Sequence, residues 1–191
     1  MAKRVVLAML IVLLTAALVL AQDAKPLQLS VFNPMQMVPE DQSIKGVSLD
    51  LFYVLNKDVT GFSVSLLGVN GVTGDGVGVQ WGLGNWVEGS FHGWQDGLVN
   101  RAGNRFVGLQ NGWVNITKGE AIGVDLGLVN FAEGPFQGFQ WGAFNYAEKM
   151  KGLQLGLVNW TKSLDGLQIG LANYNGNKKP LEFMVFVNWS F

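Results

Sequence analysis

A short phrase recurs along most of this 191-residue chain, and its spacing limits the possible folds more than any other feature. Each copy reads Gly, an apolar residue, Gln (once Asp), one further residue, Gly, two further residues and Asn. The copies are GVQWGLGN (78–85), GWQDGLVN (93–100), GLQNGWVN (108–115), GVDLGLVN (123–130), GFQWGAFN (138–145), GLQLGLVN (152–159) and GLQIGLAN (166–173). Their asparagines are 14 or 15 residues apart, and a diverged eighth copy ends at Asn188. Such a short period indicates small units that each rely on their neighbours for burial.

Within a copy the side chains alternate with a period of two, which is typical of β-strands. In the copy 152–159, Leu153, Leu155 and Leu157 share one face, here called the leucine face, and strict alternation adds Asn159 to it. The two glycines and the Gln lie on the other face. Seven or eight apolar strips of this kind must be covered by protein or by lipid.

The linkers between copies are short and rich in turn-forming residues, for example VEGS, RAGN and TKGE. If about ten or eleven residues are extended, about four remain for a hairpin turn. Strands of roughly 35 Å, tilted, cross an apolar layer of about 25 Å. The sequence therefore predicts an all-β fold, a repetitive antiparallel meander of about ten strands that closes into a barrel, either full-span or shallow. Closure would also remove exposed strand edges.

The alternative is a β-solenoid with coils of 14 or 15 residues. It explains why all linkers look alike, and it stacks the asparagines into one amide ladder. Strand direction separates the two folds: antiparallel hairpins favour the membrane barrel, and parallel in-register coils favour a solenoid that acts as a binding module.

The chain divides into three parts by composition. Residues 1–21 combine a basic start, MAKR, with an apolar run and a small-residue site before Gln22, which predicts a signal peptide cleaved after Ala21. An uncleaved membrane anchor is the alternative. Residues 22–44 form an N-terminal entry segment, and residues 45–191 form the repeat domain. The protein is therefore expected to be exported.

Composition argues against several classes of function. A formal charge of −1 gives no reason to expect nucleic acid as a partner, and the absence of cysteine excludes disulfides and thiolate metal sites. His92 is the only histidine, and no nucleophile elbow, carboxylate pair or phosphate-binding loop stands out. We therefore expect no enzyme activity, no metal and no cofactor.

Amide side chains occupy two positions of each regular copy, except that the copy 123–130 has an aspartate at the first of them. The glutamines form a polar row in which Asp125 replaces one member, and we expect these amides to bond one another and the backbone across strands; a polar lumen or ligand strip is the alternative. The asparagines end each strand, where Asn favours turns, so a turn role is expected over ligand binding. They are Asn85, Asn100, Asn115, Asn130, Asn145, Asn159, Asn173 and Asn188.

An aromatic residue follows the asparagine in six copies. In a barrel these rings would form a girdle at the membrane interface, and in a solenoid they would form a core stack. Asp96 and Asn111 interrupt the leucine face, so that face is partly internal or these two copies lie near a wet rim. The six aromatic residues are Trp86, Phe131, Tyr146, Trp160, Tyr174 and Trp189.

Two resemblances follow from these motifs. The segment LEFMVFVNWSF is amphipathic and ends in Phe191, which resembles the closing strand of bacterial outer-membrane barrels; the resemblance implies that Phe191 is an assembly signal for the barrel-assembly machinery. The repeats at 45–191 resemble uncharacterised bacterial surface-repeat proteins built from Gly-Leu-Gln-Ile-Gly-Leu-Val-Asn units, for which no activity is implied.

Together these observations predict a non-enzymatic cell-envelope protein of structural or interaction role. We expect it at the outer membrane or cell surface, with membrane lipid as a partner. The alternative is a periplasmic or secreted β-solenoid module that binds carbohydrate or protein.

Overall fold

The computed structural model describes residues 24–191, and that part of the chain is all-β without a helix. The predicted signal peptide, residues 1–21, lies outside the described residues. The strands are β1 (Ala24–Phe32), β2 (Met35–Gln36), β3 (Ser43–Asn56), β4 (Val59–Ser65), β5 (Val69–Val72), β6 (Gly76–Trp81), β7 (Gly84–Val87), β8 (Phe91–Asp96), β9 (Val99–Ala102), β10 (Phe106–Asn111), β11 (Val114–Thr117), β12 (Ala121–Leu126), β13 (Val129–Asn175) and β14 (Phe183–Ser190).

The strands pair in parallel and in register, so the fold is a β-solenoid of about eight turns. Gly108 pairs with Gly93 in the preceding coil and with Gly123 in the following one, and Asn115 pairs in the same way with Asn100 and Asn130. The predicted antiparallel meander and barrel are therefore wrong, and the alternative solenoid is confirmed. Alternation and short linkers do not encode strand direction, because a coil and a hairpin need the same local pattern.

In the coils between Val59 and Leu128 one coil consists of two strands joined by a bend, whereas β3 and the long β13 run through the corresponding positions without a break. In the coil that starts at Phe91, β8 runs to Asp96, Gly97 and Leu98 form the bend, and β9 runs back to Ala102, after which residues 103–105 turn into the next coil. The expected single strand of ten or eleven residues is thus divided into six and four. All bends lie along one edge of the solenoid, the bend edge, and all turns lie along the opposite turn edge.

The bend also changes which residues point inward. Before it, Gln154 is buried and Leu155 faces outward; after it, Asn159 is buried while Leu157 remains exposed. The predicted leucine face, which joined Leu157 and Asn159, is therefore not continuous. Two residues in the bend shift the inward–outward alternation by one position.

Both glycines of the repeat are required by the close approach of neighbouring coils. Gly108 has φ +141°, and a Cβ atom there would lie 1.9 Å from the carbonyl oxygen of Gly93. At the bend, a Cβ atom on Gly112 would lie 2.4 Å from the Gly97 oxygen and 2.7 Å from Asn100 Nδ2. Other residues rarely adopt the first conformation, and neither position has space for a side chain.

The interior is apolar near the turn edge and polar near the bend edge. Apolar side chains that start the first strands, such as Phe91 and Phe106, pack with small residues that end the second strands, such as Ala102. Between these residues and the bends lie stacked glutamines and asparagines, all buried. The polar interior is unusual because it lies beneath the bend edge, where the outer surface is apolar.

The two ends of the stack are finished differently. β1 pairs in parallel with β3 and antiparallel with the short β2, so much of the predicted entry segment already belongs to the sheet. β14 pairs antiparallel with the end of β13, from Gly166 to Tyr174, and the pairs β1–β2 and β13–β14 are the only antiparallel pairs among the described residues.

Candidate functional site

A continuous apolar ridge runs along the bend edge, and it is the most distinctive surface of the described chain. The bends contribute exposed residues, of which Trp113, Leu128 and Leu157 are 62%, 57% and 56% exposed. We call this ridge, with the outward strand residues on both of its sides, the keel. Its bend residues are Leu83, Leu98, Trp113, Leu128, Leu157 and Leu171.

Both sides of the keel are apolar except at Asp96 and Asn111, which occupy the first-strand position beside the bend in two adjacent coils. On the first-strand side the residues next to the bend include Trp81, Trp141 and Ile169, all exposed. On the second-strand side the first residue is usually valine, as in Val99 and Val114. Contiguous exposed apolar surfaces of this kind mark protein or membrane interaction sites.

Charged residues are concentrated at the opposite, turn edge. Between residues 76 and 177 every charged residue lies in a turn or at a strand position beside one, except Asp96, Arg101 and Asp125. Two ion pairs join successive turns, Arg105 with Glu120 at 3.2 Å and Lys162 with Glu148 at 3.2 Å. The cross-section of a coil is therefore amphipathic, from an apolar bend to a charged turn.

Two of the three exceptions have local partners. Arg101 forms an ion pair with Glu88 at 3.1 Å and lies over the Trp86 ring at 4.2 Å, so its charge is directed toward the turn edge. Asp96 accepts a hydrogen bond from Asn111 Nδ2 at 3.2 Å. The two polar interruptions of the leucine face therefore lie in adjacent coils and bind each other.

The aromatic residues that follow the asparagines form an outer column between the keel and the turns. Phe131 stacks on Tyr146 with ring centroids 4.6 Å apart, and Trp160 lies against Tyr174 at 4.4 Å. Trp86 and Trp160 are about half exposed. The expectation that a solenoid would bury these rings in its core is wrong, because the position after the inward asparagine points outward. Trp189, the sixth, lies on β14 under the Lys178 ammonium at 4.3 Å.

The asparagines lie inside the bend edge and form a ladder directly beneath the keel. Each Nδ2, except that of the last member Asn173, donates to the Oδ1 of the asparagine in the next coil and to a backbone carbonyl at the start of that coil's bend. For Asn115 these acceptors are Asn130 and Leu126, both at 2.9 Å. The ladder runs from Asn70 to Asn173 and includes Asn85, Asn100, Asn115, Asn130, Asn145 and Asn159. Asn188, on β14, is outside it and accepts a hydrogen bond from Lys178 at 3.1 Å.

The glutamines form a second buried ladder of opposite polarity. Gln95 donates to Gln80, and Gln110 donates to Gln95, each at 2.8 Å, so donation runs toward the N-terminus. The asparagine ladder donates toward the C-terminus. The dipoles of the two ladders therefore oppose each other, and the glutamines bond one another within the protein.

Asp125 interrupts the glutamine ladder between Gln110 and Gln140. It is fully buried, its Oδ1 has no hydrogen-bond partner, and burial raises its pKa from 3.8 to about 7, against a smaller opposing effect of a hydrogen bond with Gln140. Burial likewise raises the pKa of Asp50 to about 7, opposed by a hydrogen bond from Ser48. Both carboxyls therefore bind protons more tightly when the chain is folded.

Stability is accordingly expected to fall as pH rises. The folded state holds these protons up to about pH 7, whereas an unfolded aspartate loses its proton near pH 4, so the stabilisation is complete below pH 4 and lost by about pH 7. Because its asparagine cannot ionise, Asp125→Asn should be more stable than the wild type at pH 8 by up to about 4 kcal/mol. Its unfolding free energy should still fall as pH rises, but less steeply, because only Asp50 then contributes. Urea midpoints at pH 4.5, 6 and 8 measure this; an unchanged slope in the variant would contradict it.

The keel contains one wide groove of about 860 Å³. Its walls include Trp113, Trp141 and Leu157, and bend glycines form part of its lining. It opens where Ala143 stands at the bend position that elsewhere carries leucine or tryptophan. The groove is thus a local deepening of the apolar surface.

The terminal aromatic residues lie apart from the keel's bends. Phe191 is 95% exposed, and Trp189 is half exposed on β14. The predicted assembly role of Phe191 stays a prediction.

The sequence predicted that the glutamines bond one another, but the turn role expected of the asparagines is wrong, because they lie within strands and form a buried ladder. The keel was not predicted. The signal was present: a leucine or tryptophan follows the second glycine in all but one of the seven regular copies. Strict alternation assigned that residue to the same face as the asparagine, so its exposure was not foreseen. No group of side chains suited to a metal ion, and no helix long and apolar enough to cross a membrane, occurs within residues 24–191.

No protein-family model, curated protein or solved structure matches this chain.

Proposed function

We propose that this protein is an exported, non-enzymatic β-solenoid that attaches to a membrane surface by inserting its keel into one lipid leaflet. The observation that carries the proposal is the separation of apolar bends from charged turns along the stack, which Asp96 alone interrupts beside the keel's bends. A flat protein partner would cover one face of the solenoid, whereas the keel is apolar around its edge and on both faces, apart from the mutually bonded pair Asp96 and Asn111. Lipid chains can surround such an edge on all sides.

The dimensions of a coil suit this arrangement. A six-residue first strand spans roughly 20 Å, and one leaflet of hydrocarbon is about 15 Å thick. With the bends in the hydrocarbon, the outer aromatic column lies near the headgroups, where tryptophan and tyrosine are favoured, and the charged turns remain in water.

The backbone of the keel also meets the requirement that lipid imposes. Lipid provides no hydrogen-bond partners, so peptide groups must be satisfied within the protein. At the bends, Leu98 N–H donates to the Leu83 carbonyl and Leu128 N–H to the Trp113 carbonyl, both at 2.9 Å. The buried asparagines satisfy further bend carbonyls from inside.

Export and location complete the proposal. The signal-like residues 1–21 support export, and the resemblance to bacterial surface-repeat proteins supports a place at the outer membrane or cell surface. Keel insertion provides a means of attachment without a lipidated cysteine, which the sequence lacks.

Vesicle flotation tests the proposal directly. We expect the purified chain to float with vesicles of phosphatidylethanolamine and phosphatidylglycerol, and the double variant Leu128→Asp, Leu157→Asp to lose at least tenfold in partitioning, because each carboxylate would enter hydrocarbon. Lipids brominated along the acyl chains should quench tryptophan fluorescence of the wild-type chain.

A matched variant controls for added negative charge. Gln137→Asp with Asn104→Asp places two carboxylates on exposed turn-edge positions and should float like the wild type. The proposal fails if the wild-type chain stays in the soluble fraction, or if both double variants lose flotation equally. A soluble binding module would then be the better description.

A further inference from the structure

One coil lacks a side chain in the outer aromatic column. Along that column the coils present Leu55, Gly71, Trp86 and Arg101 in register. The column continues with side chains larger than that of glycine as far as Tyr174. Gly71 alone contributes none. The gap lies between Leu55 in the preceding coil and Trp86 in the following one.

The gap forms a cavity of about 410 Å³, within the range of small-molecule sites. Adjacent coils are about 4.8 Å apart, so the missing layer is about as thick as one flat ring. Tyr53 and Leu55 line one side and Trp86 the other, with Thr73 and Glu88 contributing polar groups. A Cβ atom on Gly71 would lie 2.8 Å from the Val54 carbonyl oxygen and 2.9 Å from Leu55 Cδ1, so Leu55 lies close over Gly71 and forms a wall of the slot.

The Trp86 ring is held in place before any ligand arrives. Its Nε1–H donates to Glu88 Oε1 at 2.5 Å, and the Arg101 guanidinium covers the ring face directed toward the following coil. The other face is directed toward Gly71. A rigid ring with one covered face and one open face is a preorganised stacking platform, since little freedom is lost on binding.

The electrostatics of the slot favour a neutral ligand. The Arg101 guanidinium also contacts Glu88 Oε1, at 3.1 Å, so the pair carries no net charge. Hydrogen bonds from Trp86 and Arg101 lower the pKa of Glu88, which therefore remains a carboxylate with Oε2 free of both contacts. A carboxylate oxygen whose charge is balanced by Arg101 is a better acceptor for neutral hydroxyl donors than a binding site for a cation.

We propose that this slot binds one neutral sugar ring of a glycan. The apolar face of the ring stacks on Trp86, and its hydroxyls donate to Glu88 Oε2 and exchange hydrogen bonds with Thr73 and Tyr53. This function is distinct from keel insertion, because the slot's polar groups Thr73 and Glu88 lie at the turn edge and no bend residue lines it, although Val69 and Tyr53 beside the bend do.

Titration of the purified chain with neutral hexasaccharides of glucose, mannose and N-acetylglucosamine, followed by tryptophan fluorescence and calorimetry, tests the proposal. We expect saturable binding of at least one of them. Trp86→Ala should weaken it at least tenfold, and Thr73→Val, which keeps the shape of the slot, should weaken it severalfold.

Trp160→Ala is the matched control, because Trp160 occupies the same column but its ring is covered by Tyr174. Binding should be unchanged in this variant. The proposal is overturned if none of the hexasaccharides binds at millimolar concentration, if Trp86→Ala binds like the wild type, or if tetramethylammonium binds in their place. Flotation with vesicles is measured on the same variants, so that failure of sugar binding and failure of membrane attachment are distinguished.

Discussion

Gly108→Ala is expected to destabilise the stack of coils severely, far more than the addition of a methyl group at an uncrowded glycine. The new Cβ atom would lie 1.9 Å from the Gly93 carbonyl oxygen, at φ +141°. Relief requires the coils of Gly93 and Gly108 to separate, which breaks the parallel hydrogen bonds between β8 and β10. We expect a loss of at least about 4 kcal/mol, measured by urea unfolding followed by circular dichroism.

Gly176→Ala provides the comparison for this variant. Gly176 directly follows β13 in the turn before β14, and the nearest neighbour of an added Cβ atom would be the Lys162 carbonyl oxygen at 3.1 Å, a contact that a small shift relieves. Its loss should stay below about 1 kcal/mol. Equal midpoints for the two variants would show that the glycine column is not required for close stacking.

Asn115→Ala is expected to destabilise the fold by about 3 to 5 kcal/mol. Asn115 accepts from Asn100 and donates to Asn130 and to the Leu126 carbonyl, each at 2.9 Å and all within the buried interior. Its removal leaves these groups without a partner in a space that water does not easily reach, and each orphaned group costs about 1–3 kcal/mol. Thermal and urea unfolding measure the change.

Asn104→Ala controls for loss of an amide as such. Asn104 lies in an exposed turn of the coil that precedes Asn115 in the ladder, and its change should cost less than about 0.5 kcal/mol. A similar cost at the two positions would mean that the ladder adds nothing beyond ordinary surface hydrogen bonds.

The all-β class and the repeat unit could be predicted from the sequence because both depend on local periodicity. The direction of the strands could not. A linker such as RAGN closes a hairpin as readily as it continues a coil, and only contacts between residues 15 apart, such as Asn100 with Asn115, distinguish the two. Those contacts are long-range and leave no mark on alternation within one copy.

The surface was harder to predict than the interior. Stacking of Gln95 on Gln110 follows from identical spacing once coils are assumed. The keel depends instead on the two-residue bend, where Gly97 and Leu98 shift the alternation, and nothing in a single copy shows that the extended segment is divided there. The slot at Gly71 depends on its neighbours in two other coils, so it too is visible only after folding.

Identical register between neighbouring coils has a consequence for how such a gene can change. Each coil meets the next through the same glycine, glutamine and asparagine, so deleting or duplicating one whole coil would rejoin two compatible surfaces, as in other one-dimensional arrays. The coils of 14 residues, from Asn145 to Asn159 and from Asn159 to Asn173, show that length differences are absorbed in the turns and not in the ladder. An in-frame duplication of residues 106–120 should therefore lengthen the keel by about 4.8 Å and leave every other coil unaltered.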